Sequence, residues 1–444
     1  MFHKNIIFKI FLCIFSLFAI CIYSFGYSSH TNNSNTLTFY LTADENDLYD
    51  ETTGIITNYE QRGDASERPV HVKICDAQGT VVLEQNAGIR VVGQTSRAMP
   101  KKSFKLTARR SYHPDHGKFE YDFFKTDYTF DDSSKGITKY NSVLLRSISY
   151  GHDTTGSLTI AGYSLARQAG LEGTPQAVPA KVYLNQEYYG TCILTQSQTA
   201  STIAEMFHID NKDSIVVTEK GTNQKLNADV FPEDVADYYD FNQKIISSET
   251  LSPELIEEIS EKLDIDQFFT YIAVETLLGN ADWPHNNFKI WRCDGDGSYC
   301  QDNKWRYLVY DLDLIGCDAN ILMERLDSLY FGTSSSHILP QLMKDPSMQM
   351  RLANIYRNLL HSTFSEKNIR ATFQTAEKQV ASDLKTYLAS ENYEEYLLNN
   401  SQLISSWSEE SRQEYLENTI QNICNNRQLI SNYFYEHFGI SLLN

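Results

Sequence analysis

The chain has 444 residues, 41% of them hydrophobic and 12% aromatic, and carries 57 acidic against 38 basic side chains for a formal net charge of -19. That apolar content supports a sizeable core in a chain long enough for two or three domains, and it excludes a disordered protein. The acidic balance argues against broad electrostatic binding to nucleic acid or to an anionic membrane surface, although it leaves room for a local basic pocket.

In chain order, the first feature is a targeting segment. Lys4 and Lys9 flank a short basic start, Ile10 to Tyr23 is nearly all apolar, and Ser24-Phe25-Gly26 offers small residues for cleavage. This pattern reads as a secretory signal peptide over 1–26, with a retained N-terminal anchor as its rival. A Ser/Asn-rich linker follows over 27–36. Either way the folded part is expected outside the cytoplasm, with membrane contact only through that segment if it is uncleaved.

From Leu37 the pattern is β. "TLTFYLTA" and "VHVKICD-AQG-TVVLEQ" predict three strands, the last two joined by a Gly-containing turn. "AGIRVVGQTSRAMPKKSFKLTARR" predicts a further pair around a polar loop and gathers Arg90, Arg97, Lys101, Lys102, Lys105, Arg109 and Arg110. Such a cluster suits phosphate recognition, with Arg97 by bidentate contact and Lys102 or Lys105 from the strand. It equally suits a solvated edge strand that discourages aggregation.

"YNSVLLRSI" reads as a buried strand and "GSLTIAGYSLARQAG" as a helix stopped by Gly170. "AKVYLNQEYYGTCILTQ" is a hairpin turning at Asn185-Gln186, and "SIVVTEKG" is a further strand. After Pro232 the chain turns helical. "DIDQFFTYIAVETLLGN" places Ile265, Phe268, Phe269, Ile272 and Thr276 on one face behind Asp264 as N-cap. "FKIWRC" and "KWRYLVYDLDLIG" predict strands around "DGDGSY", which Cys293 and Cys300 would clasp in an oxidising compartment. The rest, from about Leu339, is mostly amphipathic helix. The expected class is α+β, a β-rich N-terminal part and a mainly helical C-terminal part with a cleft between two lobes.

The chemistry gathers at "GNADWPHNNFKIW". Asp282 and Asn287 are five residues apart, and Asp311 and Asp313 follow across the hairpin. Phosphoryl transfer on a two-lobed kinase scaffold uses this inventory: an Asp that orients the accepting hydroxyl, and an Asn and a further Asp that hold a metal against the phosphates. Mg2+ prefers such carboxylate and amide oxygens. Turn chemistry explains Asp and Asn here as well, and paired carboxylates also serve glycoside hydrolysis. Asp311 and Asp313 alternate along the predicted strand, so both carboxylates are expected on one face. There is no G-x-x-x-x-G-K-[ST], no G-x-G-x-x-G after a strand, no G-x-S-x-G, no H-E-x-x-H and no zinc-ligand spacing. "CDGDGSYC" lacks the closing Glu of a calcium loop.

These motifs carry a resemblance. "LYDETTGI", "ERPVHVKICDAQG", "GIRVVGQTSRAMPKKSFKL", "VYLNQEYYG", "GNADWPHNN" and "KWRYLVYDLDLIG", in this order, resemble the CotH (spore-coat protein H) kinase-like family. The resemblance implies a two-lobed atypical protein-kinase-like fold, with a β region over 37–84, a core over 85–338 and a helical part over 339–444. It further implies ATP with Mg2+ (or Mn2+) and transfer to Ser/Thr of a protein substrate on a cell or spore surface; the net charge of -19 separately argues against a nucleic-acid partner. By motif position Asp282 is similar to the catalytic Asp, and Asn287, Asp311 and Asp313 to metal ligands. Lys102 and Lys105, supported by Arg90 and Arg97, are the candidates for the phosphates. The chain departs from the family at Val92, at Gln186, and at "TQSQT" (195–199), where members usually carry a Glu. Those departures keep open a weak or inactive coat-assembly protein on the same scaffold.

Overall fold

The computed structural model describes residues 36–124, 137–148, 153–220, 225–284, 286–332, 338–390 and 408–443, and the structural statements that follow concern these residues. The expected signal segment and all of the linker but Thr36 lie outside them, as does His285. None of the described helices is long and apolar enough to cross a membrane.

The expected β-rich part is a closed barrel. Strands β1 (Leu37–Thr42), β2 (Arg68–Cys75), β3 (Val81–Val92), β4 (Ser103–Thr107), β7 (Ser142–Ser147), β9 (Glu187–Gln196) and β8 (Ala177–Leu184) follow one another round it, and β8 closes it by pairing parallel with β1. Closure leaves the barrel without an unpaired edge. The stretch "AGIRVV" is not a new strand, as its pattern suggested. It is the second half of the 12-residue β3, which pairs first with β2 and then with β4. Two short strands, β5 (Phe119–Glu120) and β6 (Lys139–Tyr140), form a separate pair. At the β8–β9 hairpin Asn185 and Gln186 both take positive φ, 49° and 73°, the mirror-image turn that matches strand twist.

The barrel wall separates two cores. Phe104, Leu106, Val143, Leu145, Cys192 and Leu194 fill its interior. Ile193, between the last two on β9, belongs to the second core on the outer side. The pleat alternates faces, so Lys105, Leu144 and Arg146 also stand on the outer face.

The second core is built by helices. These include α1 (Leu158–Gln168), α2 (Ile265–Leu278), α3 (Pro346–His361), α4 (Glu366–Leu388) and α5 (Glu409–Phe438). The side chain of Asp264 caps α2 by accepting from Gln267 N at 3.2 Å, as expected. However, α2 buries residues all round, including Tyr271, Val274 and Glu275, not one face. It is the central helix, packed against α3 on one side and α5 on another, so its apolar pattern has no polar stripe. A three-stranded antiparallel sheet, β10 (Ile215–Glu219), β11 (Lys289–Cys293) and β12 (Arg306–Leu308), leads into the site. Cys293 and Cys300 are free thiols, and Cys293 Sγ lies 3.3 Å from Ser214 Oγ.

The three elements that meet beside the barrel are tied by Arg412 of α5, which is fully buried. It donates to Glu409 (2.8 Å), to Glu377 of α4 (3.0 Å) and to the backbone oxygen of Thr155 just before α1 (3.1 Å). Glu377 also accepts from Ser157 Oγ at 2.7 Å. Removing Arg412 leaves Glu377, whose side chain is only 18% exposed, with little water in its place, whereas Glu409 stays partly solvated. Arg412→Met is therefore expected to lower unfolding free energy by about 3–5 kcal/mol, read as a drop in the urea midpoint at unchanged slope. A loss under 1 kcal/mol, the range of exposed pairs, would show that the network is dispensable.

Candidate active site

The site forms where the chain leaves α2 and again where it leaves β12. After Gly279 the loop 280–287 lies along segment 311–317, joined by Ala281 N to Leu314 O (2.9 Å), Gly316 N to Leu278 O (2.7 Å) and Cys317 N to Gly279 O (3.0 Å). Close approach makes this possible. Gly316 has φ +74°, and a Cβ there would sit 2.5 Å from Thr419 Cγ2 of α5. At Gly162 of α1 a Cβ would meet Leu312 Cδ1 at 2.9 Å.

Asp282 opens a short turn: its carboxylate accepts from Asn286 Nδ2 at 3.2 Å and its backbone oxygen from Asn286 N at 2.9 Å. Trp283, buried behind it, donates its indole N–H to Tyr271 Oη at 2.6 Å. Asn287, at φ +57°, directs Nδ2 to the backbone oxygen of Asp311 at 3.4 Å. Three of the expected site residues, Asn287, Asp311 and Asp313, therefore converge, and Asp282 lies in the loop docked beside them.

They do not converge by strand alternation. Strand β12 ends at Leu308 and Asp311 takes φ +59°, so Asp311 and Asp313 lie in a loop and not on one face of a strand. What draws their carboxylates together is Arg146. Its Nη2 donates to Asp311 and, at 3.0 Å, to Asp313 Oδ2. Burial works against the guanidinium's charge, and the two carboxylates more than offset it, holding its pKa above the usual value. Tyr163 Oη of α1 accepts from Asp311 N at 3.0 Å. The sequence hid Arg146 inside "YNSVLLRSI", where strand parity was the available signal: Val143 and Leu145 point inward, so Arg146 points out.

The basic candidates divide. Lys105, on the outer face of β4, makes no ion pair or hydrogen bond through Nζ among the described residues. Burial pushes its pKa down to about 8, and the neighbouring charges of Arg90 and Lys289 add to that. Arg90 pairs with Asp64 at 2.8 Å, and Lys289 pairs with Glu219 at 2.6 Å while lying 4.5 Å from the centre of the Tyr310 ring. Arg97 and Lys102 make no contact with the carboxylates. Arg97 donates to the backbone oxygens of Gly93, Tyr59 and Gln61 (2.6, 2.9 and 3.0 Å), and Lys102 donates to Arg97 O (2.6 Å) and lies 3.9 Å above the Tyr59 ring. Both are buried, and a buried cation turns to the nearest oxygens. They hold the β3–β4 loop closed.

A metal's fit can be judged from the donors. Among the described residues no three His, Cys, Asp or Glu side chains gather as a metal site. The set here is two carboxylates and an amide, hard oxygens that suit Mg2+ or Mn2+. A positive charge already lies between the carboxylates, so the residues fit a divalent cation once Arg146 moves aside.

Behind the loop lies a group that periodicity masked. Glu275, fully buried in α2, accepts from Asn280 Nδ2 at 2.9 Å, and Asn280 Oδ1 accepts from Asp282 N at 3.2 Å. Its other oxygen has no partner among the described residues. Desolvation pushes its pKa up to about 8 against the partial relief from Asn280. The folded state therefore keeps a proton that the unfolded chain releases near the ordinary Glu value of about 4.3. Between those two values the unfolded state binds fewer protons, so this contribution to stability declines as pH rises, by up to about 1.4 kcal/mol per unit. Glu275→Gln, which mimics the protonated group, is expected to flatten the decline. Urea melts of both forms from about pH 5 to about pH 8.5, spanning those two values, check this, and parallel profiles would contradict it.

Comparison with known proteins identifies the family. Residues 89–428 match the family model described as CotH kinase protein. Among solved structures the chain is similar to the crystal structure of a Helicobacter pylori proinflammatory kinase, CtkA, at 10% identity and a TM-score of 0.25, covering 55% of this chain and 89% of that one. No curated protein matches. The chain belongs to the CotH kinase family, and it is a kinase-like protein.

Proposed function

We propose that this CotH kinase family member is a secreted protein kinase that transfers the γ-phosphate of ATP to Ser or Thr of a protein substrate on a cell or spore surface. The observation that carries the reading is the docking of the Asp282 loop on the 311–317 segment, with Asn287 touching Asp311. It supports a two-lobed arrangement in which the barrel supplies cations and the helical part supplies acids.

Each residue then has a role. Asp282 accepts the hydrogen bond of the substrate hydroxyl and takes its proton as the new O–P bond forms and the bond to ADP breaks. Asn287, Asp311 and Asp313 would hold Mg2+ or Mn2+, which supplies charge neutralisation at the phosphates. Lys105, whose Nζ makes no direct ion pair among the described residues although Glu67 and Asp64 lie near enough to favour its charge, would take a phosphate oxygen, with Arg90 beside it.

A second reading, a binding or coat-assembly protein of low activity, draws on Arg146 holding both carboxylates. It also draws on Gln196, in the segment where relatives usually carry Glu, which is buried and accepts from Gln176 N at 2.9 Å.

Incubating purified protein with radiolabelled ATP and a Ser-rich basic substrate, with and without Mg2+, separates the two. Mg2+-dependent label is expected from the wild type, with Asp282→Ala reducing kcat by about 100-fold or more. Equal transfer by both, or by neither, rejects the kinase. Lys105 also makes binding pH-dependent, because phosphate favours its charged form. ATP affinity is expected to fall as pH rises through about 8, and Lys105→Met is expected to remove that dependence. Titration calorimetry at several pH values reads it, and a wild-type profile as flat as the variant's rejects Lys105 as the phosphate ligand.

A further inference from the structure

We propose that Arg146 is a transferable cation: it holds Asp311 and Asp313 until a divalent cation takes them, and its guanidinium then binds the phosphates of the nucleotide. The proposal rests on the kinase reading and adds to it a regulation of cation loading.

Three observations carry it. First, a single nitrogen, Nη2, serves both carboxylates. Nε and Nη1 have no hydrogen-bond partner among the described residues, and the side chain is 21% exposed. A guanidinium fixed only for structure would be expected to engage its fork in bidentate pairs, as Arg306 does with Asp302 (2.8 Å from each of Nη1 and Nη2). Second, Arg146 stands on the outer barrel face that also carries Lys105. Leu144 pairs directly with Lys105 across β4 and β7, and Arg146 is two residues further along β7 on the same face. A guanidinium leaving the carboxylates therefore remains beside the unpaired lysine. Third, Asp313 is nearly buried and Asp311 is partly so, and two carboxylates meeting at one nitrogen there repel each other unless a cation lies between them. Monovalent guanidinium and divalent metal are alternatives for one place, and the planar fork matches phosphate oxygens.

The physical consequence is coupling. Without nucleotide, a metal ion must displace Arg146 and leave its charge unpaired, so it binds weakly. With nucleotide, the released guanidinium gains phosphate oxygens, so the two ligands favour each other reciprocally.

The test uses Mn2+ and ATP on the full chain. Free Mn2+ is followed by electron paramagnetic resonance in the wild type, Arg146→Gln and Arg146→Lys. Arg146→Gln is expected to bind Mn2+ alone about fivefold or more tighter than wild type, and to lose about fivefold or more of the enhancement that ATP brings. Arg146→Lys, which keeps charge without the fork, is expected to fall between. If Arg146→Gln fails to fold in chelator, a cooperative thermal transition restored by Mn2+ supports the exchange, and no restoration overturns it. Unchanged or weaker Mn2+ binding by Arg146→Gln, or an intact ATP enhancement, overturns the proposal while the kinase reading stands. Wild type binding neither Mn2+ nor ATP overturns both.

Discussion

Two carboxylates cannot be left facing each other at the boundary of a protein core without a cation between them. Asp311 and Asp313 are in that position, and much of the surrounding fold is arranged so that Arg146 reaches them. Arg146 reaches them because β7 lies between β4 and β9 in a closed barrel whose register turns it outward. The loop carrying the two acids reaches Arg146 because two glycines allow close packing, Gly162 of α1 against Leu312 and the loop's own Gly316 against Thr419 of α5. Barrel closure and helical packing are thus two halves of one electrostatic solution.

The same constraint organises charge around the site. A chain with net charge -19 keeps Arg90, Lys105, Arg146 and Lys289 near one face of its barrel. Three of them have acidic partners: Asp64 for Arg90, Glu219 for Lys289, and the two site acids for Arg146. Lys105 makes no direct ion pair among the described residues; burial first, then Arg90 and Lys289, lower its pKa, and Glu67 and Asp64 only partly offset them. Leaving one cation unneutralised while pairing its neighbours gives a place for an incoming anion without a large, unstable positive patch.

Local features were the legible ones in the sequence. The Asn185-Gln186 turn and the Asp264 cap depend on residues within a few positions of one another, and the structure contains both. Tertiary context decided the rest. Seven basic residues between Arg90 and Arg110 look alike in sequence, yet the β3–β4 loop buries Arg97 and Lys102 on its own carbonyls while the strand turns Lys105 outward. "YDLD" has strand composition, but the ladder ends at Leu308 and a positive φ at Asp311 re-aims the acid. Glu275 and Arg146 were hidden in apolar runs, because such runs disclose burial and not the one polar partner that burial demands.

These two hidden residues set a division of labour across the site. The Asp282 loop is backed by Asn280 and a carboxyl group whose raised pKa keeps it neutral near physiological pH, so no counter-ion is needed to hold the loop. The 311–313 segment is backed by a full ion pair, so its geometry depends on which cation is present. A neutral hydrogen-bond chain loses little when ionic conditions change, whereas an ion pair can be exchanged for another. On the proposed kinase reading, the group that would orient a hydroxyl therefore stands on the part of the site insensitive to cation occupancy. On the same reading, the groups that would take and release a cation stand on the part that responds to it.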